Sequence, residues 1–467
     1  MNQHGFSALA ACAALLLLAG CASFSPDGGM SRVNSLTRER IGHTVDRADL
    51  GTPSPQVASL LAEPLDADAA VQVALLNNRR LQVALAQLGI AEADLVQAGR
   101  LRNPGLSFGR ISGNGETTIE RSVMFDLGGL LTMPLRRAVE QQRFQGAQLQ
   151  TALQVVRTAA DTRRAWYQAV AATQSLTFLA QAELAAQASA ELGQRMAEVG
   201  NWSRLDQARE QVFHAEVAAQ LIRARHQVTA ARERLARLMG LSGEQMGYRL
   251  PDRLPDLPAQ VRPPQDAERR ALTQRLDIQL ALLETEFGAR TLGLTRTTRF
   301  VNVLELGYQN HSESGSPRAD GYEVELSLPL FDWGTARVRR AEATYMRALQ
   351  RTADIAVQAR SEVREGHSLL LAQHEVARRY RDEIVPLRKR MSDEMLLRYN
   401  GMLASVFELL ADARAQIASI NAAIDAQRDY WVADSDLQLA IHGGSVTAAP
   451  LTSSHPTAQP FAAPAAH

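Results

Sequence analysis

The chain is short of aromatic residues, short of cysteine and without an excess of charge of either sign, and each shortage closes off a class of protein. Aromatics make up 5% of the 467 residues although 46% are hydrophobic. Alanine therefore carries much of the apolar content, which suits close helix–helix approach better than one thick globular core. Lys plus Arg and Asp plus Glu number 50 each, so no basic excess attracts a phosphate backbone, and nucleic acid is excluded as a partner. No Ser/His/Asp arrangement, phosphate loop or cysteine cluster stands out, so the sequence does not read as an enzyme and calls for no cofactor. Apart from one stretch at the amino end, no run is long and apolar enough for a membrane helix.

That stretch, residues 7–20, is too short to span a bilayer and reads as the core of a signal peptide over 1–20. It ends in Leu18-Ala19-Gly20-Cys21, which resembles a bacterial lipobox, although the region before it holds His4 and no Lys or Arg. Cleavage there removes Cys12 and leaves Cys21 carrying a covalent lipid, so no disulfide is expected. Residues 21–64, rich in turn formers such as Pro26, Gly28, Gly29, Pro53 and Pro55, read as an extended lipid-anchored tether.

Next comes a pattern that occurs twice. The spacing of Ala70, Val73, Ala74, Leu81, Leu85, Leu88 and Ala91 predicts one helix from Leu65 to Leu101, capped by Asp66 or Asp68 and stopped by Asn103-Pro104-Gly105. The period then changes from 3.6 to 2. Leu106 and Phe108 alternate with small residues, Ser112-Gly113-Asn114-Gly115 turns, and Ile119, Val123, Phe125 and Leu127 alternate with Glu120, Ser122, Met124 and Asp126, which reads as a hairpin.

Pro134 is placed to open a helix that meets no further proline before Gly200. At about 1.5 Å per residue, such a rod would reach on the order of 95 Å. Its apolar positions Leu149, Leu153, Val156, Ala160, Tyr167 and Val170 step by four and three, a coiled-coil seam interrupted at Arg163. A break at Gly200-Asn201-Trp202-Ser203 leads to a return helix ending at Gly240. The first repeat thus covers 65–242.

A Pro-rich linker over 243–265 precedes the second repeat, 266–442, which runs helix, strand 300–308, polar loop 309–321, strand 322–330, long helix 335–399, break at Asn400-Gly401 and return helix. Arg136-Arg137-Ala138 recurs as Arg339-Arg340-Ala341, and Phe125-Asp126-Leu127-Gly128 as Phe331-Asp332-Trp333-Gly334. The tail, 443–467, has almost no charge and is expected to be disordered. Trp166, Tyr167, Tyr345 and Tyr380 sit at helical spacing and read as packing residues. His367 and His374 are seven apart, too far for a helical zinc pair, so no metal site is assigned.

Strands with Glu120, Glu323 and Glu325 on one face and apolar residues on the other fit a barrel wall with lipid outside and water within. Four strands cannot close such a wall, and open edges are not tolerated in hydrocarbon. The expected fold is therefore mainly α with a small β part: two structural repeats of helix, β-hairpin, long helix and return helix, contributing to a β-barrel and an α-helical barrel shared between chains.

In this order behind a lipobox, the elements resemble the TolC outer-membrane efflux protein family, in its lipidated OprM-like branch, over about residues 65–442. The resemblance rests on Ala74-Leu75 with Asn77, Leu101 to Asn103-Pro104, Leu328-Pro329-Leu330 into Phe331-Asp332-Trp333-Gly334, and Tyr399-Asn400-Gly401. It implies a homotrimer that is lipid-anchored in the bacterial outer membrane and extends far into the periplasm. There it would serve as the passive exit duct of a tripartite efflux system, docked to a periplasmic adaptor and an inner-membrane pump.

It also implies that the tips, Gly200, Asn201 and Ser203 with Asn400, Gly401 and Ser405, are adaptor-docking turns in which a glycine permits the reversal. Asp206, Glu408 and Asp412 fall near positions where the family narrows its pore. Other readings of the same pattern are a non-conducting lipidated coiled-coil tether and the exit duct of a protein-secretion system.

Overall fold

The computed structural model describes residues 23–47, 55–113, 116–261, 266–298, 304–326 and 332–445. Cys12, Cys21, the turn residues Asn114 and Gly115, the segment 327–331 and the tail from 446 onward lie outside the described residues, and with them the proposed lipidation site and signal peptide.

The first half comprises α1 (Met30–Ile41), α2 (Pro55–Ala62), α3 (Ala67–Asn77), α4 (Arg79–Ala98), β1 (Gly105–Gly113), β2 (Glu116–Asp126), the long helix α5 (Leu127–Glu198) and its return α6 (Arg204–Met239). The second half has α7 (Ala267–Gln274), α8 (Leu276–Thr298), β3 (Leu304–Glu313), β4 (Ala319–Leu326) and α9 (Thr335–Arg379). A π-turn (Tyr380–Ile384), α10 (Val385–Asn400) and α11 (Val406–His442) complete it.

Both leading helices, expected to be continuous, are broken, and at matching places. Asn78 takes an extended backbone angle (ψ 115°) and caps two helices at once: its N–H closes α3 on the Ala74 carbonyl, and its side-chain oxygen accepts from the Leu81 N–H, opening α4. Its amide also donates to the Leu238 carbonyl at 2.6 Å, and that of Asn77 to the Gly240 carbonyl at 2.7 Å, so the break is held against the end of α6. Gly240 (φ 68°) leaves room for none but glycine, because a Cβ there would lie 2.3 Å from the Asn77 carbonyl oxygen. In the second half Arg275 (ψ 129°) makes the same kind of break between α7 and α8. It is 1% exposed and held by Asp277 at 2.7 Å, Glu362 at 2.8 Å and the Ala440 carbonyl at 3.2 Å. Periodicity misses both breaks because neither interrupts the apolar spacing by more than a residue.

The long helix starts earlier than Pro134. Asp126 caps it by accepting from the Gly129 N–H, and Pro134 sits inside the second turn-pair, where the Thr132 hydroxyl and the Arg136 guanidinium bond to the Gly128 and Gly129 carbonyls. The 72 residues of α5 make a rod of about 108 Å. Its seam residues Leu153, Val156, Ala160, Tyr167 and Val170 are buried, and Arg163, the interruption, reaches out to Asp68 at 2.8 Å. In the other long helix Pro386 cannot donate to the turn before it, and the π-turn immediately ahead of it takes up the mismatch.

Residues 23–47 are not the extended tether expected. Gly28 and Gly29, both at positive φ, turn the chain into α1, whose Met30, Val33 and Leu36 join Leu85, Leu88, Phe144 and Val155 in one core. Glu92, 6% exposed, holds the start of this arm by accepting from the Ser25 N–H at 2.7 Å. A second core joins α3, α5 and α6 through Val73, Trp166, Val170, Leu235 and Met239, and a third joins α9 and α11 through Val363, Leu370, Tyr430 and Leu437. The linker after α6 is a strap rather than a loose spacer. The Pro255 carbonyl accepts from Trp431 at 3.0 Å and Gln427 at 2.7 Å, and the Pro258 carbonyl from His374 at 2.9 Å.

Replacing Asn78 by alanine removes a helix cap and a buried side-chain bond together. We expect a loss of about 1–3 kcal/mol, read as a lower thermal midpoint in detergent; an unchanged midpoint would show that the break is not held by this side chain.

Candidate functional site

Two places on the chain carry groups that no packing role absorbs: the sheet at one end of the helices and the two helix tips at the other.

The four strands form one antiparallel sheet in the order β1-β2-β3-β4, so the two hairpins expected from the sequence are joined through β2 and β3. β3 runs on to Glu313 and β4 begins at Ala319, shortening the polar loop expected over 309–321. There the strands lack apolar alternation but carry cross-strand bonds instead, from the Asn310 amide and the Tyr308 hydroxyl to Asp320 at 2.6 and 2.9 Å.

Register fixes which side chains share a face, since paired residues point the same way and neighbours along a strand alternate. Leu106 pairs with Val123, Val123 with Tyr308 and Tyr308 with Tyr322, while Phe125 pairs with Leu306 and Leu306 with Val324. These make an apolar face that turns polar toward the hairpin ends, at Arg121, Asn310 and Asp320. Its opposite carries Glu116, Glu120, Glu305, Glu313, Glu323 and Glu325, with His311 3.7 Å from Glu120 and Gln309 bonded to Glu323. Glu120, Glu323 and Glu325 thus share one face, as their alternation implied. Glu305 lies directly opposite Glu325, a like-charge pairing that costs stability in a sheet.

Neither face is covered by the chain's own helices. Leu106, Phe108, Tyr322 and Val324 are 79, 69, 84 and 65% exposed. Among the described residues the outer edges of β1 and β4 have no strand partner either.

At the far end the two tips are built alike, offset by 202 residues. In each, the residue closing the long helix takes positive φ, Gly200 at 79° and Met402 at 58°. The pairs of backbone bonds correspond: Gly200 N–H to Ala197 and Asn201 N–H to Met196 in the first, Met402 N–H to Tyr399 and Leu403 N–H to Arg398 in the second. This is the Schellman arrangement. The reversal in the second tip therefore falls on Met402, not on Gly401, whose φ of −84° any residue can adopt. Gly401 is the C-cap of its helix, the counterpart of Val199 in the first tip.

Ser203 and Ser405 then cap the return helices. The Ser203 hydroxyl accepts from the Asp206 N–H at 3.2 Å and donates to its carboxylate at 2.7 Å. Ser405 and Glu408 make a full capping box, with the Ser405 N–H donating to Glu408 at 2.8 Å. That backbone bond, followed by the hydroxyl, holds the Glu408 carboxyl below its usual range. The cap is consequently complete above the ordinary carboxylate pKa and weakens as pH falls through the depressed value.

One further turn and 202 residues apart lie Glu210 and Asp412. Glu210 is 1% exposed and accepts from Ser189 at 2.9 Å; Asp412 is 8% exposed and its Oδ2 has no hydrogen-bond partner. The tips also touch, Trp202 lying 5.8 Å from the Phe407 ring and filling the space over Gly193. Val199, Leu205, Met402 and Leu403 are left outside, 71, 62, 95 and 81% exposed.

No helix among the described residues is long and apolar enough to cross a membrane, and no group of three or more His, Cys, Asp or Glu is placed there to hold a metal ion.

No protein-family model and no curated protein sequence matches the chain. Solved structures do. The Campylobacter jejuni CmeC outer membrane channel is 16% identical, with 89% of this chain and 93% of that one covered at a TM-score of 0.69. The outer-membrane channel OprN is 19% identical (88% and 95%, TM-score 0.68), and the outer membrane protein VceC from Vibrio cholerae 17% (81% and 96%, TM-score 0.66). The fold is that of these outer-membrane channels.

Sequence reasoning located the tips and the acidic face but missed Met402, Glu210 and the Trp202–Phe407 contact. A signal existed for Glu210: aligning Ser203 with Ser405 places it on Asp412.

Two alanine substitutions separate the roles of the tip glycines. Gly200→Ala forces an L side chain into the left-handed region and should cost about 1–2 kcal/mol, while Gly401→Ala, which meets only ordinary contacts near 3.5 Å, should be nearly neutral. Faster amide exchange of the tip in Gly401→Ala than in Gly200→Ala would contradict the assignment.

Proposed function

We propose that copies of this chain assemble into a trimeric outer-membrane exit duct, a passive conduit for substrates delivered by an inner-membrane pump through a periplasmic adaptor. The observation that carries this reading is the sheet: bare on both faces, apolar on one and carboxylate-bearing on the other, with both outer edges open. Exposed edges and an uncovered apolar face are stable only if further strands continue the sheet and lipid covers its outside. Three copies supply twelve strands, and a closed wall of that size encloses water.

The long helices support the same reading. A rod of about 108 Å reaches well beyond a bilayer, and outward apolar residues on this and the other long helices, Leu184 on α5, Val212 on α6, Val357 on α9 and Leu397 on α10, are 65, 55, 68 and 66% exposed until neighbouring copies pack against them. The matched tips, with their four exposed apolar residues, are the adaptor-docking turns. Asp206, Glu408 and Asp412 narrow the passage just inside, the first two from helix caps and Asp412 from a buried position. Cys21 carries the lipid that anchors the chain at the outer membrane. The inner wall of the sheet, lined by glutamates, favours cations in the passage.

Planar-bilayer recordings on the purified assembly test this. We expect steady single-channel currents with reversal potentials that favour cations. Glu305→Gln with Glu323→Gln and Glu325→Gln should reduce that preference without abolishing conduction. Protein that inserts yet never conducts, even after Asp206, Glu408 and Asp412 are changed to alanine, would instead point to a lipidated tether.

A further inference from the structure

The repeated pairs Arg136-Arg137 and Arg339-Arg340 have no place in the reading so far. Both follow the sheet into a long helix. Asp126 caps α5, and Arg137 lies eleven residues on, about 16 Å along the helix; Gly334 caps α9, and Arg340 lies six residues on, about 9 Å. Between sheet and arginines is an apolar collar, Leu130, Leu131, Leu135 and Trp333, exposed by 43, 70, 46 and 59%. Arg100 leads into the sheet from the same side, just after the end of α4.

The carboxylates at the starts of the two long helices are already taken, and Glu305 and Glu325, at the same end of the sheet, lie on its acidic face. Asp126 pairs with Arg102 at 3.3 Å, Asp332 with Arg337 at 3.9 Å, Glu140 with Arg143 at 2.5 Å, and Glu342 with Arg296. Arg100, Arg137, Arg339 and Arg340 are exposed, and none has a carboxylate partner among the described residues. Among the described residues Arg136 bonds to the Gly129 carbonyl alone, and its Nε is buried without a partner. The zone thus holds a surplus of guanidinium groups immediately below an apolar collar, in both repeats.

We infer that these arginines bind the phosphate groups of anionic phospholipids in the leaflet on the helix side of the membrane. The inference rests on the reading of the sheet as a membrane wall. A guanidinium fork matches phosphate oxygens in a way an ammonium does not, and a long arginine stem can lie along apolar surface with its head at the interface. The headgroup layer is roughly 5–7 Å deep on each side of the hydrocarbon; the two pairs sit at depths that differ by about one helical turn, within reach of side chains that extend upward. The site holds the barrel at a fixed height and surrounds it with acidic lipid.

The test compares the full-length wild type with Arg137→Gln/Arg339→Gln/Arg340→Gln and with the corresponding triple lysine variant. Each is reconstituted into phosphatidylcholine vesicles with and without phosphatidylglycerol. Lipid carried out with the protein is counted by native mass spectrometry, and conductance is recorded in parallel. The expected result is enrichment of phosphatidylglycerol around the wild type that falls by roughly an order of magnitude in the glutamine variant and only partly in the lysine variant, with conductance unchanged.

Equal lipid enrichment in wild type and glutamine variant overturns the inference. So does a variant whose ion selectivity changes while its lipid does not, because the arginines would then line the water passage. A wild type that fails to insert or conduct in either vesicle type overturns the exit-duct reading and this inference with it, whereas one that conducts normally but shows no lipid preference overturns this inference alone.

Discussion

A backbone N–H or C=O without a partner costs several kcal/mol in hydrocarbon, and the four-stranded sheet presents a row of them along each outer edge. In water the same edges would recruit other chains without control. In the proposed assembly the chain is part of a ring whose strands continue from copy to copy. The helices agree with that reading: both hairpins are flanked by helices that leave the sheet at the same end, and their outward apolar residues would pack against the same neighbours.

The two faces of the sheet then sort its charges. Glutamates lie on one side, and the apolar side has its polar residues gathered at the hairpin ends. The Glu305–Glu325 pairing is unfavourable for a soluble sheet and has no ion-pair partner among the described residues. Such a pairing is tolerated beside water that ions can enter, which agrees with the proposed water-filled side of the sheet.

Much of the architecture was legible in the sequence because its signals are local. Alternation at Ile119 to Asp126, the break at Gly200-Asn201-Trp202-Ser203 and the echo of Arg136-Arg137 in Arg339-Arg340 each lie within a few residues. What could not be seen depends on distant partners. Asn78 breaks its helix because the carbonyl of Leu238 is there to receive it, and the arm 23–47 folds onto α4 and α5 because Glu92 accepts from Ser25. Gly401 was misleading for a different reason: glycine suits a reversal, but the backbone bonds place that reversal on Met402. The acidic tip residues were found by spacing alone, which could not reveal that Asp206 and Glu408 belong to helix caps.

The π-turn at Tyr380–Ile384 has an effect that reaches the whole lower half of its helix. Adding one residue to a turn rotates everything after it by about 100° relative to an uninterrupted α-helix. Leucines and methionines below the turn, such as Leu387, Met391 and Leu397, consequently point in directions that the seam of α9 would not forecast. In the proposed assembly one continuous rod would in this way present its sticky side to one neighbour near the sheet and to another near the tip.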